Sequence, residues 1–182
     1  MDTKAQLRAR LLADRPRLDP HVVGRVAADH APPGLHRFAV VAGYRPIRGE
    51  IDPAPLMGAF AARGAKLCLP SARSGVALVF RAWSLGEPLM RGGFGVEEPD
   101  QHAPVVRPDL IILPMAGFDA AGHRLGYGAG HFDRTLEALR LSGTVFALGL
   151  CYADHEVARL PAEPHDQKLD AILTENGYRA FP

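Results

Sequence analysis

A chain of 182 residues, 47% of them hydrophobic, can bury a core of its own and is not expected to be disordered. Its 21 Lys and Arg against 20 Asp and Glu leave a formal charge of +1, which excludes the broad basic field that holds a nucleic-acid backbone and makes any anion site local. No run approaches the roughly 20 apolar residues needed to span a bilayer, and Met1-Asp2-Thr3-Lys4 lacks the apolar stretch of a signal peptide, so a soluble cytoplasmic protein with no membrane partner is expected. The two cysteines, Cys68 and Cys151, sit inside short apolar runs and read as buried thiols, not as a disulfide or metal pair.

In chain order, Asp2 or Thr3 can cap a first helix whose stripe is Leu7, Leu11 and Leu12. Pro20 opens a second helix through Val22, Val23 and Val26, which Pro32-Pro33-Gly34 breaks. A strand over Phe38–Gly43 follows. Asp52 then caps, and Pro53 begins, a helix through Leu56, Met57 and Phe60 that ends at Gly64. Lys66–Pro70 and Val76–Ala82 read as strands, and Gly86–Gly95, lacking either periodicity, as an ordered loop. Asp109–Pro114 is a continuous apolar run, as a strand covered on both faces would be. Phe132, Leu136 and Leu139 recur at helical spacing, and Val145–Leu150 and Leu169–Leu173 supply two more strands.

This alternation predicts a three-layer α/β/α fold, Rossmann-like, with a mainly parallel central sheet, in one domain over residues 1–182. Such sheets bind ligands beyond the carboxyl ends of their strands, which directs attention to the loops after Gly43, Pro114 and Leu173.

The most chemical stretch lies after Pro114, where Gly126, Gly128 and Gly130 alternate with Tyr127 and Ala129 directly before a helix that opens with His131, Phe132 and Asp133. Glycines permit positive φ and close backbone approach, and the free N–H groups of a helix start attract phosphate. Neither a Walker loop nor a G-x-G-x-x-G turn directly after a strand is present, so a tight turn docking a helix competes with a phosphate loop. Asp119 and Arg124 lie upstream. Asp133 is either a favourable contact with the helix dipole or a Mg²⁺ ligand beside a phosphate. His165-Asp166-Gln167-Lys168-Leu169-Asp170 offers Lys168 for a phosphate and Asp170 as a second Mg²⁺ carboxylate, or else is a solvated loop. Lys4 and Arg8, one turn apart, repel each other unless an anion sits between them. In the loop after the first strand, Tyr44, Arg45 and Glu50 stand at the predicted ligand edge, and Glu50 can accept hydrogen bonds from an amino-pyrimidine ring or simply cap the helix at Pro53.

Taken in order, Lys4–Arg8, Tyr44–Pro55, Phe94-Gly-Val-Glu-Glu-Pro99, Asp109–Leu136 and His165–Glu175 resemble the 5-formyltetrahydrofolate cyclo-ligase family, with Phe118-Asp-x-x-Gly-x-Arg-Leu-Gly-Tyr-Gly-x-Gly through Leu136 the most specific block. The resemblance implies an ATP- and Mg²⁺-dependent enzyme that converts 5-formyltetrahydrofolate to 5,10-methenyltetrahydrofolate and releases ADP and phosphate. It implies ATP contacts from Lys4, Arg8, Arg124, Gly126, Tyr127, Gly128, Ala129, Gly130 and Lys168, and folate contacts from Tyr44, Arg45, Glu50, Tyr127, His131 and Phe132. Arg124, Tyr127, His131 and Phe132 would then serve the chemistry, and Asp133 and Asp170 would hold Mg²⁺. A monomer or weak homo-oligomer is expected.

The family usually has two aromatics, often Tyr-Tyr, where this chain has His131-Phe132; Phe132 keeps a stacking face and lacks the phenolic hydroxyl. Pro53 stands where threonine is frequent, and the second helical region is short. The departure at His131-Phe132 leaves open a non-catalytic sensor of folate or nucleotide, and a sugar-phosphate isomerase that needs no nucleotide is a further alternative. The ligase reading requires the amino-terminal cations, the glycine turn and the late acidic residues to surround one triphosphate pocket.

Overall fold

A computed structural model describes residues 3–15, 18–72 and 76–182, apart from the side chain of Phe94. Among the described residues four α-helices, α1 (Lys4–Ala13), α2 (Pro20–Asp29), α3 (Ala54–Ala61) and α4 (His131–Ser142), accompany twelve strands. The strands are β1 (Val40–Ala42), β2 (Lys66–Ser71), β3 (Val79–Ala82), β4 (Met90–Arg91), β5 (Glu97–Glu98), β6 (Leu110–Pro114), β7 (Gly117–Asp119), β8 (Arg124–Leu125), β9 (Phe146–Leu150), β10 (Glu156–Val157), β11 (Ala171–Thr174) and β12 (Gly177–Ala180).

Seven strands form the central sheet in the order β12-β11-β9-β6-β1-β2-β3. The five inner strands are parallel, and β3 and β12 close the two edges antiparallel. From β1 the chain first winds outward through β2 and β3 and then returns to build β6, β9, β11 and β12 on the other side. The order therefore reverses between β1 and β6, which are paired through Val41 with Leu110 and Ala42 with Ile111. Loops leaving the carboxyl ends at such a reversal diverge and open a crevice.

Both faces of the sheet are covered, with side chains alternating between them. Val41, Leu67, Leu69, Leu110, Ile112, Leu148 and Leu173 point into a core shared with Val23 and Ala27 of α2 and Leu56, Met57 and Phe60 of α3. Ile111, Leu113, Ala147 and Ile172 point the other way, onto Leu136 of α4. Helix α2 approaches α3 closely because Gly24 lacks a side chain, and a Cβ there would meet the Asp52 carbonyl oxygen at 2.1 Å.

Helix α1 stands beyond the carboxyl edge. Thr3 caps it in a capping box with Gln6, so of the two caps the sequence offers Thr3 serves, while Asp2 lies outside the described residues. Leu7 and Leu11 pack on Ala116, Leu125 and Leu160, which turns the polar side of α1 toward the glycine turn.

Several boundaries differ from the expected ones. Pro53 is the N-cap of α3, and Asp52 accepts from the Ala54 N–H at 2.9 Å, just ahead of the helix. The Gly86–Gly95 loop contains β4, which pairs with β5. The β7–β8 hairpin, which joins β10 in a second small sheet, was not expected, because its strands are too short to display a period. No helix among the described residues is long and apolar enough to cross a membrane.

Candidate active site

The stretch from β6 to α4 builds the site. After Pro114 the chain forms the β7–β8 hairpin, whose turn is fixed by Asp119. That carboxylate is 1% exposed and accepts from the Ala121 and His123 N–H groups, the His123 ring and the Leu160 N–H, each at 3.0 Å. Burial pulls its pKa up, but these bonds prevail and hold it below the usual carboxylate range. Asp119 is thus a fastener of the hairpin.

Arg124 leaves β8 toward α4. Its guanidinium, with the side chain 5% exposed, donates to Asp133 Oδ1 at 2.7 Å and to the Gln167 carbonyl, and Asp133 Oδ1 also accepts from the Gln167 N–H at 3.0 Å. Burial lowers the Arg124 pKa and Asp133 and Asp166 oppose the shift. The glycine turn runs between Arg124 and the helix. Gly130, at φ 64°, is the N-cap of α4 and Gly128 has φ 97°, so both need glycine; the first N–H groups of α4 receive no side-chain cap. Nothing among the described residues lies within 4 Å of a Cβ built on Gly126, which leaves its face open. Arg134 folds back onto the Ala129 carbonyl at 2.7 Å.

The amino-terminal cations meet this turn. Arg8 donates from Nε to the Gly126 carbonyl at 2.6 Å. Lys4 reaches Asp166 at 2.7 Å and Glu163 at 3.0 Å; burial lowers its pKa, and the two carboxylates more than reverse that. One continuous set of contacts therefore joins α1, the glycine turn, the start of α4 and the segment before β11.

On the far side of Tyr127 lies the loop after β1. Glu50 is 3% exposed; its Oε2 accepts from the Ile47 N–H at 2.8 Å, and its Oε1 is buried with no hydrogen-bond partner among the described residues. Burial raises its pKa against the pull of the Ile47 N–H, Tyr127, Arg15 and Arg48. Tyr127 lies close enough to feel that charge: burial, then Glu50, raises the pKa of its phenol.

Not every expected residue joins the pocket. Asp170 immediately precedes β11, at the amino end of the sheet, where its Oδ2 accepts from the Ala147 N–H at 2.7 Å and from Arg140 at 3.2 Å. Arg140 lies in the last turn of α4 and Asp133 in the first, so the structure does not bring Asp170 to Asp133. The carboxylate of this segment that meets the amino-terminal cations is Asp166. Lys168 is exposed, and its carbonyl is held by Arg140 at 3.0 Å. Tyr44 is 4% exposed in the core with its hydroxyl on the Ile51 carbonyl at 2.6 Å, which makes it a wall of the loop. Arg45 pairs with Glu97 at 2.8 Å. His131 is half-buried at the first position of α4, and Phe132 packs against the Ile111–Leu136 side of the core. Burial pushes the Cys68 and Cys151 thiols up to about 12, as inert buried thiols require.

A doubly wound α/β sheet with an uncapped helix start and a buried carboxylate at its reversal point is an α/β architecture suited to binding an anionic small molecule. Comparison with known proteins narrows this. The model of the 5-formyltetrahydrofolate cyclo-ligase family matches residues 1–175. The 5-formyltetrahydrofolate cyclo-ligase of Mycolicibacterium smegmatis is 31% identical over 185 residues, covering 94% of this chain and 93% of that protein. The Escherichia coli K12 protein of the same name is 31% identical over 140 residues, covering 74% and 76%. The solution structure of Aquifex aeolicus 5,10-methenyltetrahydrofolate synthetase shares the fold with a TM-score of 0.80 at 28% identity, covering 97% of this chain and 92% of that one. The chain belongs to the 5-formyltetrahydrofolate cyclo-ligase family, and is an enzyme of the ligase class.

Proposed function

We propose that this protein converts 5-formyltetrahydrofolate to 5,10-methenyltetrahydrofolate with ATP, releasing ADP and phosphate. The formyl oxygen displaces ADP from the γ-phosphorus, and the neighbouring folate nitrogen then attacks the activated formyl carbon. Phosphate leaves carrying the formyl oxygen. Phosphoryl transfer of this sort needs alignment and charge neutralisation more than covalent participation by the protein.

The observation that carries the reading is the run of contacts from Lys4 and Asp166 through Arg8 and Gly126 to Arg124 and Asp133, with Tyr127 and Glu50 at its other end. The uncapped start of α4 and the turn Gly126–Gly130 suit the triphosphate, with Lys4, Arg8 and Arg124 as counter-charges. The pterin end suits Glu50, whose free oxygen can accept from ring N–H groups, with Tyr127 beside it and His131 and Phe132 at the helix start. Mg²⁺ takes oxygen ligands and is commonly held by one or two carboxylates plus phosphate oxygens; Asp133, bonded to the Gln167 N–H, and Asp166, the residue before Gln167, are the carboxylates we assign to it, with Glu163 and His165 within 4.8 Å of Asp166. Bound there, it would neutralise charge on the phosphates, with Arg124 and Lys4, the partners of these two carboxylates, as the cations beside it.

The test is turnover. Purified protein with Mg-ATP and 5-formyltetrahydrofolate is expected to raise the methenyl absorbance, and omission of ATP is expected to abolish the rise. No rise with ATP present refutes the ligase reading.

A further inference from the structure

The proposed chemistry uses the cations at the phosphate end and leaves Arg15 without a task. Arg15 follows the C-cap of α1, and its guanidinium binds three separate segments. Nη2 donates to the Tyr127 hydroxyl at 2.6 Å and to the Met115 carbonyl at 3.3 Å, while Nη1 donates to the carbonyls of Ile47, at 3.4 Å, and Arg48. One planar cation thereby ties the loop after β1, the residue after β6 and the glycine turn, which are the walls of the crevice at the sheet reversal. A lysine ammonium cannot present the same fork of donors.

What it holds is under strain. In the turn Ile47–Glu50, closed by the Glu50 N–H on the Ile47 carbonyl at 3.0 Å, both central residues have positive φ, 51° at Arg48 and 74° at Gly49. An arginine rarely adopts that conformation unless its surroundings enforce it. Arg15 takes the carbonyls of Ile47 and Arg48, the Arg48 guanidinium lies 5.8 Å from the centre of the Tyr127 ring, and Glu50 ends the turn beside the Tyr127 hydroxyl, with Oε1 buried and without a hydrogen-bond partner of good geometry among the described residues.

We propose that Arg15 is a positioning residue for the folate half of the site: it fixes the Tyr127 hydroxyl and the strained turn so that Glu50 Oε1 stays open to a donor on the pteridine ring. The inference rests on the cyclo-ligase reading. It separates the two substrates, because the cations proposed for the triphosphate, Lys4, Arg8 and Arg124, are held by Asp166, Gly126 and Asp133, and Arg15 meets that end only through Tyr127.

Calorimetric Kd values for 5-formyltetrahydrofolate and for Mg-ATP test it. Arg15→Met is expected to weaken folate binding about tenfold and ATP binding about twofold or less, with Arg15→Lys recovering part of the loss. In a Tyr127→Phe background the effect of Arg15→Met on folate binding is expected to shrink to about threefold, since the shared contact is already gone. Equal weakening of both ligands, or full multiplication of the two single effects, overturns the inference. Should Arg15→Met fail to fold, the folate-against-ATP split in Arg15→Lys and the Arg15→Lys/Tyr127→Phe pair decides in the same way. A wild type that binds both ligands without turnover refutes the ligase reading and leaves this inference to be decided by the Kd values.

Discussion

Asp133 meets a buried guanidinium and a backbone N–H with the same oxygen, Oδ1, which orients the carboxylate, and its Oδ2 takes no hydrogen bond shown among the described residues. Asp133→Asn is expected to lower turnover on the order of a hundredfold or more while circular dichroism still reports a folded α/β protein. Unchanged activity would remove Asp133 from the site. Asp166→Asn belongs with it, whereas Asp170→Asn is expected to stay within about threefold of wild-type turnover, because Asp170 works at the opposite end of the sheet. A second residue-scale outcome concerns Glu50. Its folded-state pKa is raised, so folding binds its proton more tightly than the unfolded chain does; stability is lost as pH rises through the unfolded value and the loss is complete above the folded one. Glu50→Gln is therefore expected to raise Tm at neutral pH, with the gain vanishing below about pH 4, and to weaken folate binding. A neutral-pH Tm that falls would contradict the burial account. The residue types of the candidate site were legible in the sequence, but which acid of His165–Asp170 meets the amino-terminal helix was not. Position relative to the sheet explains why it is Asp166: a side chain just before a parallel strand lies at the amino edge, and Asp170 directly precedes β11. Arg15 carried no signal, because its partners are three backbone carbonyls and one hydroxyl from distant segments.

Helix caps and apolar periods made α1, α2 and α4 and the inner strands readable, since each is a local consequence of side-chain spacing. Short pieces fail that criterion: β7, β8 and β10 exist because Asp119 and the surrounding backbone pairings fold them against one another. Close packing between elements is equally silent in one dimension. Gly24 sits in the middle of α2, where alanine would ordinarily stabilise a helix by about 1 kcal/mol. Here the added Cβ would collide with the Asp52 backbone oxygen, so Gly24→Ala is expected to destabilise the protein by about 1–3 kcal/mol in urea unfolding, a reversal of sign. Stabilisation would mean that α2 and α3 are not packed as described, and the loop carrying Glu50, which leads into α3, would lose its support.

Across the molecule, a net charge near zero hides a sorted interior edge. The cations of α1 and β8 face the acids of α4 and of the segment before β11, in pairs that neutralise each other: Lys4 with Glu163 and Asp166, Arg124 with Asp133. In such an arrangement each charge has a partner without a ligand, and a polyanion with its metal would offer the cations phosphate oxygens and the carboxylates a divalent ion. The doubly wound sheet brings these groups, nearly the whole chain apart in sequence, to one edge. The most direct measurement of this account is a single turnover with enzyme in excess over 5-formyltetrahydrofolate in the presence of Mg-ATP, in which methenyl product and ADP are quantified together. Equal amounts of the two are the predicted result; binding of both ligands with neither ADP nor methenyl product formed would contradict it and define the protein as a sensor.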